Sequence, residues 1–263
     1  IEPGVPDDTC EYCRTGRYNI CPGVDFMATQ PNYKGALTQY MTHPEEWTYH
    51  IPEGMTTMEG ALVEPAAVGM HAAVLGGAQP GKSIVILGGG TIGLMVLQAC
   101  ISLGATDITV VDVIEKRLEL AKKLGAARVI NGKEEDTVAV LRSEEMYGDH
   151  GVDLVFEAAG AVFTAQQAVQ IVSRGGKIMM VGTQSKPVPI DFLKINREVT
   201  IQTSFRYCNN FPQTIEAISS GRFNVKDMVT NIYDYEDVQK AFEEAIDPVK
   251  KTEMVKGVIK VAE

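Results

Sequence analysis

Long apolar runs are missing from the 263-residue sequence, and no stretch approaches the roughly 20 apolar residues that a membrane-spanning helix needs. Positive charge is also scarce, since 24 Lys and Arg stand against 34 Asp and Glu and give a formal net charge of -10 at pH 7. This balance argues against nucleic acid or an anionic membrane surface as a partner. The amino terminus has neither a basic segment followed by an apolar one nor an initiator Met, so we expect a fragment or a processed chain without a secretory signal.

Cysteine is sparse too, and three of the five cysteines lie close together. Cys10, Cys13 and Cys21 form a C-x2-C-x7-C pattern in a segment rich in turn residues. Such clustering is more typical of a metal site in a reducing cytosol than of a disulfide framework, so we expect a cytoplasmic protein. A tetrahedral zinc ion needs four donors, and Asp7, three residues before Cys10, offers a carboxylate as the fourth. The alternative is a solvated loop with three free thiols.

A glycine turn follows the β-branched run 83–87 and opens an apolar helical pattern. Its G-x-G-x-x-G glycines are Gly88, Gly90 and Gly93, with Thr91 and Ile92 between the last two. Strand, turn and helix in this order predict a dinucleotide site, because the helix start offers free N–H groups to a pyrophosphate. Asp112 ends the next predicted strand about 20 residues further on, where an acid accepts the ribose hydroxyls and repels a 2′-phosphate. The sequence thus predicts that NAD binds in preference to NADP.

The pattern of the chain changes twice along its length, which predicts one large domain or two coupled ones. Apolar strands are predicted at 84–87, 108–111, 128–130, 154–157, 178–181 and 199–203. The helices between them are predicted at 92–103, 115–124, 134–146 and 163–173. This alternation indicates an α/β fold with a doubly wound parallel Rossmann sheet, covered on both faces. The predicted parts are a partial, mostly β domain at 1–65, the dinucleotide-binding domain at 66–203 and a returning segment at 204–263.

Outside the predicted sheet, three further features are readable. Glu64 before Pro65 is typical of a helix start, where an acid suits the helix dipole. His71, inside an apolar helical pattern, is expected to be a hydrogen-bonded core histidine rather than a ligand. Residues 209–263 are expected to pack back on 1–65 and to form one wall of a cleft facing the nicotinamide. Within them, the charged tract 247–256 indicates a solvated loop.

With these pieces placed, the sequence resembles the zinc-dependent medium-chain dehydrogenases, above all the sorbitol and other polyol dehydrogenases. The matching stretches are CRTGRYN (13–19), FMAT (26–29), GALVEP (60–65), the glycine turn, GGK (175–177) and FRYCN (205–209). The Glu-Pro and Phe-Arg-Tyr-Cys-Asn elements are the specific ones, since they separate polyol dehydrogenases from ordinary alcohol dehydrogenases. The resemblance implies that residues 1–65 belong to a GroES-like catalytic domain.

The resemblance also implies roles for individual residues. Glu64 matches a position at the catalytic zinc, bound directly or through water, where the metal lowers the pKa of the substrate alcohol before a hydride passes to NAD. The implied residues for the polyol are Arg206 and Tyr207, with Phe26 and Thr29 lining its pocket. In addition to the glycine turn and Asp112, the residues that the resemblance implies for the cofactor are Arg117, Val181 and Phe205. A homotetramer is implied as well.

This sequence departs from the family at two points. The catalytic-zinc cysteine and the Gly-His-Glu motif normally lie upstream of the cysteine cluster, so we expect the printed chain to bind NAD and to be inactive for want of zinc ligands. Asp7 stands where four-cysteine members have their first cysteine. Two alternatives stay open: a threonine or 2,3-butanediol dehydrogenase of the same family, and a non-catalytic NAD-binding or redox-sensing protein.

Overall fold

The amino-terminal segment consists mostly of turns, as the sequence predicts. The computed structural model describes residues 1–29 and 34–261. Strand β1 (Gly4–Val5) pairs antiparallel with β2 (Asp25–Phe26), and between them lies the four-residue helix α1 (Glu11–Arg14). Single turns of 3-10 helix occur at Tyr18–Ile20 and Glu45–Trp47.

Helix α2 (Thr57–Gly76) corrects the prediction that a helix starts at Glu64-Pro65. It begins seven residues earlier, because the Thr56 side chain accepts a bond from the Glu59 N–H and the Glu59 carboxylate accepts one from the Thr56 N–H. This capping box satisfies two helix-start donors and is readable as T-x-x-E in the sequence. Pro65 therefore lies inside the helix, where it removes one backbone hydrogen bond.

Ten elements then build the Rossmann domain. They are β3 (Ser83–Leu87), α3 (Thr91–Ser102), β4 (Asp107–Asp112), α4 (Glu115–Lys123), β5 (Arg128–Asn131), α5 (Thr137–Leu141), β6 (Val152–Glu157), α6 (Val162–Ile171), β7 (Val172–Met180) and β8 (Thr200–Thr203). The strand order is β5-β4-β3-β6-β7-β8, and every pairing is parallel. This is the order of dinucleotide-binding sheets, with the switch point between β3 and β6. The predicted fold class is confirmed.

Within the Rossmann domain, α5 and β7 differ most from their predicted bounds. Helix α5 covers Thr137–Leu141 and not 134–146, because the Asp136 carboxylate caps it by accepting bonds from the N–H groups of Val138 and Ala139. Strand β7 begins at Val172, six residues before the predicted start, because α6 passes into it without a loop. The predicted boundary between residues 65 and 66 falls within α2, and the three-part division stays a prediction.

The hydrophobic core lies on both faces of the sheet. Along β3, Ile84 and Ile86 face a cluster with α2 and α3, whereas Val85 and Leu87 face a second cluster with residues of α6. This alternation follows from the two-residue period of a strand. His71 is 9% exposed in α2, and its Nδ1 lies 3.1 Å from Asn210 Oδ1, which confirms it as a core histidine.

The carboxyl-terminal segment returns to the amino-terminal one. Its elements are α7 (Phe211–Ser219), β9 (Val229–Asp234), α8 (Val238–Ile246), α9 (Lys250–Glu253) and β10 (Lys256–Lys260), with β9 and β10 parallel. Asn209 Nδ2 donates to the Gly16 carbonyl at 2.9 Å, and Asn19 Nδ2 donates to the Phe205 carbonyl at 2.8 Å. These bonds join the start of this segment to residues 16–19, while its place in a catalytic domain stays a prediction, and the loop predicted at 247–256 contains α9. None of the described helices is both long and apolar enough to cross a membrane.

Candidate cofactor and substrate site

The glycine turn lies between the carboxyl end of β3 and the start of α3. Gly88 has a φ of +109° and its N–H donates to the Val111 carbonyl at 2.8 Å. A Cβ on Gly93 would overlap the Gly88 carbonyl oxygen, so the helix approaches the turn as closely as glycine allows. Among residues 1–29 and 34–261, a Cβ on Gly90 would meet only Arg117 Nη1, at 3.9 Å, and none of their side chains caps α3. Free N–H groups thus face open space at the helix start, as a pyrophosphate requires.

Asp112 closes β4 beside this turn. Its Oδ1 accepts bonds from the N–H groups of Val113 (2.7 Å) and Ile114 (2.9 Å), and its Oδ2 accepts one from Gly89 (2.7 Å). Arg117 Nη1 lies 3.6 Å from the same Oδ2. Turn, acid and arginine border a cavity of about 480 Å³ that continues past the carboxyl end of β6. These residues fit a dinucleotide.

The segment around α9 lies against the same turn. Thr91 Oγ1 donates to the Val255 carbonyl, and Arg117 Nη2 donates to the Lys251 carbonyl at 3.4 Å. Lys116 and Glu253 form an ion pair at 2.8 Å. Sequence reasoning missed this contact, because the charges of the tract read as solvated.

The residues predicted for the substrate come together from distant parts of the chain. The Arg206 guanidinium carbon lies 3.7 Å from the ring centroid of Phe26 and 4.7 Å from that of Phe205. The Tyr207 ring packs edge-on against Phe211, and Tyr207 is 2% exposed. Its buried hydroxyl interacts with the Glu64 carboxyl, although none of the described residues meets the geometry of a full hydrogen bond to it. A buried polar group without a full hydrogen bond lowers the stability of the fold unless a ligand supplies the partner.

Glu64 brings a partly buried carboxyl to the same cluster. Burial raises the pKa of Glu64, while Tyr207, Lys256 and Arg206 act in the opposite direction. Burial also lowers the pKa of the Arg206 guanidinium. Lys256, at the start of β10, was not predicted from the sequence, since a lysine that opens an edge strand carries no signal of its own.

Three other predicted residues lie at the edges of this cluster. Thr29 is exposed, and its hydroxyl donates to the Phe26 carbonyl at 2.8 Å, which fixes the turn that carries Phe26. Val181 follows β7 and Phe205 follows β8. Because β3, β7 and β8 are parallel, these two residues lie at the same edge of the sheet as the glycine turn.

The cysteine cluster also forms as predicted in space. One ligand atom from each of Asp7, Cys10, Cys13 and Cys21 lies within 4.8 Å of the others. The sulfur atoms of Cys10 and Cys13 are 3.3 Å apart, and Cys13 Sγ is 3.6 Å from Asp7 Oδ1. Ligands of a tetrahedral zinc ion lie roughly 3.5–4 Å apart, given Zn–S bonds near 2.3 Å. The Cys13 N–H donates to the Cys10 sulfur and lowers the pKa of that thiol. The donor set fits zinc.

Glu64 does not belong to this group of metal-binding side chains. Among residues 1–29 and 34–261, the four-residue cysteine cluster is the one group of three or more metal-binding side chains close enough to share an ion. The described residues around Glu64 therefore do not make up a zinc site, and its role at a catalytic zinc stays a prediction.

We expect the chain to hold about one zinc ion, as a closed structural site would. Cys10→Ser should lose it, because a hydroxyl is a far weaker ligand than a thiolate. Cys208→Ser is the matched control: its sulfur donates to the Gly16 carbonyl and lies outside the cluster, so zinc should be retained. Elemental analysis after dialysis measures all three proteins. A metal-free parent chain would contradict the prediction.

Taken together, the sheet order, the glycine turn and the acid at the end of β4 define a Rossmann-type dehydrogenase. A family model described as "Zinc-binding dehydrogenase" matches residues 91–220. The chain belongs to the zinc-dependent medium-chain dehydrogenases, whose typical cofactors are NAD and zinc.

Relatives at the sequence level agree. The chain is 64% identical over 263 residues to an uncharacterised zinc-type alcohol dehydrogenase-like protein of Escherichia coli (strain K12), YdjJ, covering 100% of this chain and 75% of that protein. It is 41% identical over 249 residues to a sorbitol dehydrogenase of Bacillus subtilis (strain 168), covering 94% of this chain and 69% of that enzyme.

A solved structure is also similar. It is an Escherichia coli oxidoreductase/dehydrogenase described as of unknown specificity and involved in membrane biogenesis. It shares 63% sequence identity with a TM-score of 0.97 and covers 100% of this chain and 75% of that one. These likenesses place the chain among alcohol and polyol dehydrogenases.

Proposed function

We propose that this chain is part of an NAD-dependent polyol dehydrogenase that oxidises a secondary alcohol of a sorbitol- or xylitol-type substrate to the ketose. The observation that carries the proposal is the buried Tyr207 hydroxyl, which interacts with the Glu64 carboxyl beside Arg206 and makes no well-formed hydrogen bond with the described residues. A substrate with several hydroxyl groups supplies a partner for each of these polar groups. The proposal includes the cytoplasmic location and the homotetramer that the resemblance implies.

In this scheme, a bound dinucleotide would supply the hydride acceptor. A zinc ion would ease loss of the hydroxyl proton, but the described residues around Glu64 do not make up its site. Arg206 donates hydrogen bonds to substrate hydroxyls, and the rings of Phe26 and Phe205 hold its guanidinium from two sides. Tyr207 offers its hydroxyl, which lies beside the Glu64 carboxyl. The raised pKa of Glu64 makes its carboxylate a better proton acceptor than an exposed one. Asp112 fixes the adenosine ribose.

Two rivals make different predictions. A threonine or 2,3-butanediol dehydrogenase offers fewer substrate hydroxyls to Arg206 and Tyr207 and would turn over those compounds in place of sorbitol and xylitol. A non-catalytic NAD sensor would turn over none. A substrate panel on the full-length protein separates the three functions, and strong turnover of threonine without any of sorbitol or xylitol would contradict a polyol dehydrogenase.

Replacing Tyr207 by Phe should change the melting temperature little, since the lost hydroxyl interacts with Glu64 but makes no well-formed hydrogen bond with the described residues. The same change should raise the KM for the polyol by about 10-fold or more, because a site built to bind a hydroxyl then lacks its donor. Tyr147→Phe is the control. It removes contacts to Arg128 and Thr109 far from the cleft and should lower stability with KM unchanged. An unaltered polyol KM in Tyr207→Phe would sink the assignment.

A further inference from the structure

Glu157 is a buried carboxylate that the predicted site does not use. It ends β6, the strand next to β3 across the switch point, and is 0% exposed. None of the described Lys, Arg or His side chains forms an ion pair with it. Burying an acid in this way is unfavourable unless several donors satisfy it. The donors that satisfy Glu157 therefore identify the parts of the chain that its carboxylate holds in place.

Those bonds join two loops. Oε1 accepts from the N–H groups of Ala159 (3.0 Å) and Gly160 (2.9 Å) and from Thr164 Oγ1 (2.7 Å), all just after β6. Oε2 accepts from Gln184 Nε2 at 2.7 Å, in the loop after β7. The Glu157 carbonyl also accepts from the N–H groups of Val181 and Gly182, each at 2.8 Å.

The two loops touch through their backbones. A Cβ on Gly160 would lie 2.6 Å from the Thr183 carbonyl oxygen, and one on Gly182 would overlap the Gly160 N–H. So close a contact leaves no room for adjustment, and one anchor sets the position of both loops. Glu157 is that anchor, since its side chain bonds to both.

These loops lie where the second half of a dinucleotide should be. In a doubly wound sheet each half of the ligand lies over one half of the strands, and β6, β7 and β8 form the half opposite the glycine turn and Asp112. Ala158 and Ala159 line the far end of the 480 Å³ cavity. The nicotinamide therefore falls on the loops that Glu157 joins.

We propose that Glu157 is a positioning residue for the nicotinamide half of the cofactor: its carboxylate joins loop 158–161 to loop 181–184 and so sets the floor on which that ring lies. The inference rests on the proposed dinucleotide site. Glu157 acts through the backbone of the two loops and does not touch the reacting atoms.

The test compares two ligands by calorimetry. NADH fills both halves of the site, whereas ADP-ribose lacks the nicotinamide. In Glu157→Ala, the dissociation constant of NADH should rise by about 10-fold or more, the scale of a lost hydrogen bond to a charged group, while that of ADP-ribose changes less than about 2-fold. Equal losses for both ligands, or no loss for NADH, would overturn the proposal.

A conservative variant supplies the matched control. Glu157→Gln keeps a carbonyl oxygen for the three donors at Oε1 and places an NH2 group against Gln184. The Gln184 Oε1 is buried and has no partner in the part of the chain that the structure describes, so rotation of that amide would satisfy the new donor. NADH affinity should therefore return to within about 3-fold of the parent, less than one neutral hydrogen bond is worth. Failure of this rescue would point to a need for charge and contradict positioning alone.

A second variant tests the proposal if Glu157→Ala fails to fold. Gln184→Leu breaks the side-chain link to the loop after β7 and leaves the bonds at Oε1 intact. It should weaken NADH about 3- to 10-fold and spare ADP-ribose. Loss of both ligands alike would overturn the positioning role. A parent chain that binds neither ligand would instead refute the proposed function, and this inference with it.

Discussion

Gly93→Ala should abolish dinucleotide binding and destabilise the chain by about 3 kcal/mol or more, as overpacking against fixed backbone does. The added methyl group would overlap the Gly88 carbonyl oxygen. Neither side can move easily, since the Gly88 N–H is bonded to Val111 and Gly93 lies in the first turn of α3. Thermal unfolding together with NADH titration measures both losses.

Gly90→Ala, at the second glycine of the same motif, is the matched control for stability. Gly90 has a φ of -72°, which alanine adopts freely, and its Cβ would meet only the end of the Arg117 side chain. Stability should change by no more than about 0.5 kcal/mol. NADH affinity should still fall by about 10-fold or more, because the methyl group occupies space that the pyrophosphate needs. If Gly90→Ala binds NADH normally, the phosphate does not lie at this turn.

Asp112→Asn should reduce the preference for NADH over NADPH by about 10- to 100-fold, the scale of a charged hydrogen bond and a removed repulsion. In the parent, the carboxylate lies 3.6 Å from Arg117 and offsets its charge. With a neutral amide there, the guanidinium is free to attract a 2′-phosphate. The ratio of the two dissociation constants is the measurement.

Asp153→Asn is the control: it tests whether replacing another acid of the sheet also changes the preference for NADH over NADPH. Asp153 accepts bonds from the N–H and hydroxyl of Ser83 at the opposite, amino end of the strands. Its replacement should lower stability and leave the cofactor ratio unchanged. A ratio that stays constant in Asp112→Asn would show that another group excludes the phosphate.

The strands could be predicted because burial on both faces demands continuous apolar runs, which are visible in the sequence. All six strands of the sheet appear, with shifts only at their ends. Helix α5 was overextended because its amphipathic pattern continues past Leu141, whereas Asp136 and the turns after Arg142 set its real limits. Local caps decide such boundaries, and periodicity alone does not show them.

The candidate site divides in the same way. Glu64, Phe26, Arg206 and Tyr207 could be named from the resemblance, and the structure places them together, while their roles stay predictions. The burial of the Tyr207 hydroxyl beside Glu64 is a property of packing and has no sequence signal. Glu157 had one: like Asp112, it is an acid that closes a buried, mostly apolar strand. The same reasoning applied to both would have found it.

Arg206 adopts a left-handed backbone with a φ of +54°, a conformation that favours glycine. Such a residue gives up of order 1 kcal/mol of folding free energy, and its long side chain loses rotamer freedom between two rings. Stability and function therefore oppose each other at this position. Glycine at residue 206 would relieve the backbone but remove the guanidinium, so a gain of stability at this position would come with loss of whatever the side chain binds.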